Sequence, residues 1–113
     1  MSPLHLAGDQ GSLGAAEALV NLKASLEAKD VTGATPLMLA AQRGHDKVAA
    51  LLLKHRAAVD ARDEQDNTAV HFAGMYEREK VFRVLVEAGG DPFALNRAGR
   101  RPQTPDIPEC QPQ

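Results

Sequence analysis

Apolar residues recur along this chain with helical spacing, and the whole pattern returns every 33 residues. Ser2-Pro3-Leu4-His5-Leu6-Ala7-Gly8 is repeated as Thr35-Pro36-Leu37-Met38-Leu39-Ala40-Ala41 and again as Thr68-Ala69-Val70-His71-Phe72-Ala73-Gly74. Downstream, Ala15, Ala18 and Leu19 correspond to Val48, Leu51 and Leu52 and then to Val81, Val84 and Leu85. Upstream, Asp30-Val31-Thr32-Gly33 corresponds to Asp63-Glu64-Gln65-Asp66 and to Asn96-Arg97-Ala98-Gly99.

Each period predicts the same local structure. Thr35 caps a helix with its hydroxyl, and Pro36 stands at the first helical position, where its missing N–H costs nothing. Gly44 ends that helix, because glycine accepts the left-handed conformation of a tight stop. A second helix, about Asp46 to His55, carries Val48, Leu51 and Leu52 on one face. Gly89 ends the matching helix of the third unit, and Lys23 and Arg56 hold that place in the first two. The segment Asp30 to Gly33 then predicts a turn, with Gly33 free to take positive φ. A helix pair of this size cannot bury its apolar face alone, so neighbouring units must stack.

Thr-Pro-Leu-His-x-Ala on a period of 33 residues is the mark of the ankyrin repeat. Thr35 to Ala41, Gly44-His45 and Leu51-Leu52-Leu53 resemble it closely, and the resemblance covers roughly residues 2 to 100. It implies an all-α repeat solenoid of about three stacked units, each a helix-turn-helix with a short β-hairpin or turn finger. The units span about 2–34, 35–67 and 68–100, and residues 101–113 form an extended Pro-rich C-terminal tail. In this family the ring at the place of His5 and His71 holds the capping turn together.

The pattern weakens at both ends and in one loop. The first unit begins at its capping Ser2, and its second helix holds Gly14 and the small Ala15, Ala16 and Ala18. Asp66 takes the place of a hairpin glycine, and Asp visits the left-handed region more readily than most residues. Glu77 replaces the glycine after the first helix of the third unit, so a different loop is expected there. A fourth unit starts at Asn96 and stalls at Arg101-Pro102-Gln103-Thr104-Pro105.

Composition narrows the function. Three Phe, one Tyr and no Trp suit a stack built on Ala, Leu and Val better than one large core. A net charge of −2 gives no global electrostatic reason to bind nucleic acid, and no apolar run approaches the 18 residues of a membrane span. The N-terminus has no basic stretch leading into an apolar core, and the single Cys110 makes no internal disulfide. These features point to an intracellular protein, cytoplasmic or nuclear.

No residue set carries catalysis. His45 follows a helix-ending glycine and His55 closes a helix, and no Cys or His pair has zinc-ligand spacing. Asp30 and Asp63 occupy equivalent turns in different units, which points to a shared turn-stabilising hydrogen bond rather than a paired acid and base. No nucleophile elbow, phosphate loop or dinucleotide fingerprint is present. The reading is therefore no enzyme, no cofactor, no metal and no small-molecule substrate, but a module that binds another protein through its concave face. A regulatory subunit or inhibitor docking on an enzyme is one alternative; a structural stretch of a longer array is the other.

In relatives of this kind, partners meet the hairpin tips and the exposed end of the first helix. Carried over by position, those residues are Val31, Thr32, Ala34, Gln42 and Arg43, then Glu64, Gln65, Asn67, Met75 and Tyr76, and in the last finger Arg97, Ala98 and Arg100. Met75 and Tyr76 stand out, because a solvated loop has little use for them. The alternative reading is that they cover the loop at Glu77. Arg97, Arg100 and Arg101 form the one basic cluster, either a solvated turn or a contact for an acidic partner.

Overall fold

The computed structural model describes residues 2–23 and 25–102. Six helices follow in pairs: α1 (Pro3–Gln10) with α2 (Leu13–Asn21), α3 (Pro36–Arg43) with α4 (Asp46–Lys54), and α5 (Ala69–Met75) with α6 (Glu79–Glu87). The first helices stack α1 on α3 on α5, and the second helices stack α2 on α4 on α6. Three helix pairs in series give an elongated body of 48 × 24 × 20 Å.

The helix starts follow from the capping residues. Ser2, Thr35 and Thr68 each hold extended backbone while their hydroxyl accepts from the N–H three residues on, at His5, Met38 and His71. The stops use left-handed residues, at Gly11 (φ 72°) and Gly44 (φ 79°). Lys23 and Arg56 take φ of 65° and 71° after α2 and α4, where Gly89 follows α6. Asp66 adopts φ 60° in the second finger, as its replacement of glycine requires.

The core lies between the two layers of helices. Leu4, Leu37 and Val70 repeat at one position of the first helices, and Val48 and Val81 with Leu52 and Leu85 at two positions of the second; all are fully buried. At about 25 cal/mol per Å² of apolar surface removed from water, each such side chain contributes on the order of 1.5–3 kcal/mol. The middle unit is covered on both sides and buries Pro36 through Ala41 without a break. In α2 only Ala16 is buried, in keeping with the small residues of that helix.

Of the β-hairpin or turn expected for each finger, the described residues form the turn, without strands. One expectation is corrected in detail. The loop after α5 closes as its counterparts do: Glu77 takes φ 57°, its N–H donates to Gly74 O at 3.1 Å, and that of Arg78 donates to Ala73 O at 2.8 Å. The glycine loop of the middle unit makes the same pair, Gly44 N to Ala41 O at 3.2 Å and His45 N to Ala40 O at 2.9 Å. A left-handed non-glycine residue costs about 1–2 kcal/mol. That is less than leaving two helix-end carbonyls unpaired and repacking α6, so the loop persists.

The tail after Pro102, with Cys110, lies outside the described residues.

Candidate interaction surface

The fingers are built from one repeated device. Asp30 Oδ1 accepts from Thr32 N (2.9 Å), Thr32 Oγ1 (2.8 Å) and Ala34 N (2.9 Å). Asp63 Oδ1 accepts from Gln65 N and Asn67 N, and Asn96 Oδ1 from Ala98 N and Arg100 N. Partial burial raises the pKa of Asp30, but the Thr32 hydroxyl, the Ala34 and Thr32 N–H groups and the nearby His5 outweigh it, so the carboxyl sits below its ordinary range. The expected turn-stabilising role of these acids is what the geometry shows.

Fingers and helices are then tied across units. Glu64 N donates to Thr32 O at 3.0 Å and Arg97 N to Gln65 O at 2.8 Å. Lys29 Nζ reaches Arg62 O, and Arg62 Nη1 reaches Leu95 O. His5 joins the Ser2 cap through Nδ1 and bonds Ala34 O through Nε2 at 2.7 Å; His71 does the same between Thr68 and Arg100 O at 3.0 Å. Both rings are buried and fully partnered, which makes them structural. His45 and Arg78, at the start of α4 and α6, reach back to Asp9 O and Gln42 O, each at 3.1 Å.

Against that frame the residues singled out from the sequence divide. Val31, Thr32, Glu64, Gln65, Arg97, Ala98 and Arg100 are exposed on the fingers. Met75 and Tyr76 are exposed at the end of α5, by 49% and 43%. Seven residues of α5 span about 10 Å, so these two stand at the opposite end of the first helix from the finger tips. Gln42 is half-buried, with its carbonyl occupied by Arg78. Arg43 is exposed but paired, its Nε lying 2.7 Å from Asp9 Oδ1. At such exposure the pair contributes under about 1 kcal/mol, yet it fixes where the cation stands.

Two residues leave the surface. Ala34 is 3% exposed and Asn67 8%, and the Asn67 side chain accepts from Asn96 Nδ2 at 2.8 Å. Each follows directly on its turn; Ala34 is held by Asp30 and His5 of its own unit, and Asn67 is drawn against the next.

Sequence reasoning missed several surface features. Leu6, at the position of Leu39 and Phe72, is exposed, and so are Phe93 and Leu95 on the last finger. The signal lay in the repeat itself: Phe93 and Leu95 stand where the preceding units have Asp60 and Arg62, and Glu27 and Lys29. Arg101 lies over the Phe93 ring, 6.0 Å from its centre.

Among the described residues no group of three or more His, Cys, Asp and Glu is placed to hold a metal ion. Nor is any helix long and apolar enough to cross a membrane. Comparison with curated proteins finds no match. A family model described as ankyrin repeats matches three copies over residues 4–96. Repeats of this family are generally protein–protein interaction modules. With the period, the capped first helices and the stacked pairs all in agreement, the chain belongs to the ankyrin-repeat family.

Proposed function

We propose that this protein binds another protein through the surface that runs from its finger tips to the ends of its first helices, with no chemistry of its own. The observation that carries this reading is the exposure of Met75 and Tyr76 side by side at the end of α5. Tyr is enriched at binding hot spots and Met adapts to irregular partners. Because the loop at Glu77 is closed by its own backbone hydrogen bonds, it does not need these side chains to cover it. Arg43, held by Asp9, stands at the position of Tyr76 in the preceding unit and supplies a fixed charge there. Val31, Thr32, Glu64, Gln65, Arg97 and Arg100 form the far side of the surface. An intracellular partner suits a chain with one cysteine and no internal disulfide.

The test is the Tyr76→Ala variant against a partner captured by pull-down. Binding energy concentrates in a few buried anchors. The variant therefore loses about 1–3 kcal/mol, roughly ten- to a hundred-fold in Kd, with its melting temperature unchanged. Glu64→Ala, on the rim, costs under about 1 kcal/mol. Equal losses of melting and binding in Tyr76→Ala, or intact binding after Met75 and Tyr76 are both changed to Ala, refute the assignment.

A further inference from the structure

The side chains at the start of α4 and α6 each reach back to the unit before, and each needs something from the unit that receives it. His45 reaches Asp9 O by passing over Gly11, and Arg78 reaches Gln42 O by passing over Gly44. A methyl group on Gly11 would lie 2.5 Å from His45 Nδ1, and one on Gly44 would lie 2.8 Å from Arg78 Cδ. No real Cβ tolerates such distances without displacing its neighbour. The helix-ending glycines of the first two units therefore do more than adopt positive φ. They leave the channel through which the next unit's side chain ties down.

The third unit has Glu77 at this position, with the same left-handed backbone (φ 57°) and the same pair of closing hydrogen bonds. Its Cβ occupies the place that is kept empty at Gly11 and Gly44. The side-chain ladder along the fingers stops at the same unit. Lys29 donates to Arg62 O and Arg62 to Leu95 O, but Leu95 has no group to donate onward. The tie that closes the last finger, His71 Nε2 to Arg100 O, is retained. Unit three thus receives unit two and holds its own finger, and it gives up two of the side-chain ties by which a further unit would be held.

We infer that the outer face of the third unit is closed to an in-register fourth repeat, with Glu77 as the stop. That face, with Met75 and Tyr76 next to Glu77 in the chain, is therefore not an interface between repeats. The inference rests on the identity of residues inside unit three. It stands whether or not Tyr76 proves to be the binding anchor.

The experiment extends the full chain. A copy of residues 35–67, which brings its own His45, is inserted between Arg100 and Arg101, so that the added unit falls in register. Two such chains are made, one with Glu77 and one with Glu77→Gly, and the unextended Glu77→Gly protein serves as the folding control. Stability of a repeat array is the sum of its units and their interfaces, and the urea m-value scales with the surface exposed on unfolding. With glycine at 77, the m-value rises by about one third over the three-unit protein. The amides of the inserted second helix then become at least roughly ten-fold better protected from exchange than in the Glu77 chain. With Glu77, the m-value stays at the three-unit level. Equal protection and an equal rise in m-value in both extended chains overturn the inference. So does an inserted unit that fails to stack in both, because Glu77 would then not be what decides.

Discussion

Replacing Met38 by His should stabilise this protein, although Met38 is buried and nothing around it is visibly strained. The reason lies in the equivalent positions. In the first unit the His5 ring accepts from Ser2 N at 3.2 Å and bonds Ala34 O of its own finger at 2.7 Å. In the third, His71 accepts from Thr68 N at 3.1 Å and bonds Arg100 O at 3.0 Å. Each of those carbonyls also accepts from its own turn, from Asp30 N and Asn96 N, and the ring takes the second lone pair. In the middle unit Asp63 N donates to Asn67 O in the same way. At the place of the two rings this unit has a thioether, Met38. Met38 Sδ stands 3.5 Å from Thr35 N, a weak acceptor for a buried donor.

A histidine at 38 adds the hydrogen bond to Asn67 O and gives Thr35 N a nitrogen acceptor. Two such bonds contribute about 2–3 kcal/mol, since one of them satisfies a buried N–H. Losing the thioether's apolar burial takes back about 1–2 kcal/mol, because the imidazole covers only part of that area. The net is about 1 kcal/mol of added stability, or a rise of about 4–8 °C in Tm for a domain of this size. Thermal and urea unfolding of Met38→His measure it, with Met38→Leu as a control that keeps the burial and lacks the ring. A histidine variant no more stable than the leucine variant refutes the reasoning. So does an unchanged Tm in the reciprocal His71→Met.

The remaining predictions rest on the same geometry. Leu52 is fully buried between the second helices, and Leu52→Ala should cost about 2–5 kcal/mol in urea unfolding; an unchanged melting temperature would refute the register of the stack. Gly44 and Gly99 share nearly the same φ, 79° and 75°, but Gly44 faces Arg78 while Gly99 has open space around it. Gly99→Ala should therefore show the left-handed backbone cost alone, about 1–2 kcal/mol, and Gly44→Ala about 1–3 kcal/mol more; equal losses would mean that Arg78 yields freely. Asp30 has its pKa lowered in the folded state. Its contribution is complete above the unfolded value of about 4 and is lost as pH falls through the lower folded value. Asn makes the same turn at position 96, so Asp30→Asn should fold at neutral pH and lose less stability than the wild type between about pH 5 and pH 2. Parallel acid limbs for the two proteins would refute that linkage.

Much of the fold was legible because one short motif states several physical requirements at once. The hydroxyl before Pro36, the left-handed stop at Gly44 and the apolar face of α4 each fix a boundary, and their common period fixes the stacking order. What the sequence did not reveal was the set of ties between units. Arg78 to Gln42 O and Arg62 to Leu95 O join residues 36 and 33 apart, and their existence depends on an inter-unit distance that no local rule supplies. The substitution at Glu77 was visible, but its meaning was not. It reads as a change of loop, and the backbone is unchanged; what changes is the space beside it.

The candidate surface was less legible, for a reason that the position of Ala34, Asn67 and Arg100 makes plain. Three different residues at one repeat position look like a variable, solvent-facing site, yet Ala34 and Asn67 are buried and only Arg100 is exposed. The position is held through its backbone. Each N–H donates to the side chain of its turn, at Asp30, Asp63 or Asn96, and each C=O accepts from the N–H of that same residue. In the first and third units the C=O also pairs with a histidine ring. The side chain at the position itself takes no part in those bonds, so the residue type is free to vary while the location stays fixed. Variation between units thus marks freedom of the side chain and not exposure. Gln10, Arg43 and Tyr76 vary equally and are exposed where their helices end. Which variable position is a surface is decided by what the next unit lays against it, and in unit three that is the question Glu77 answers.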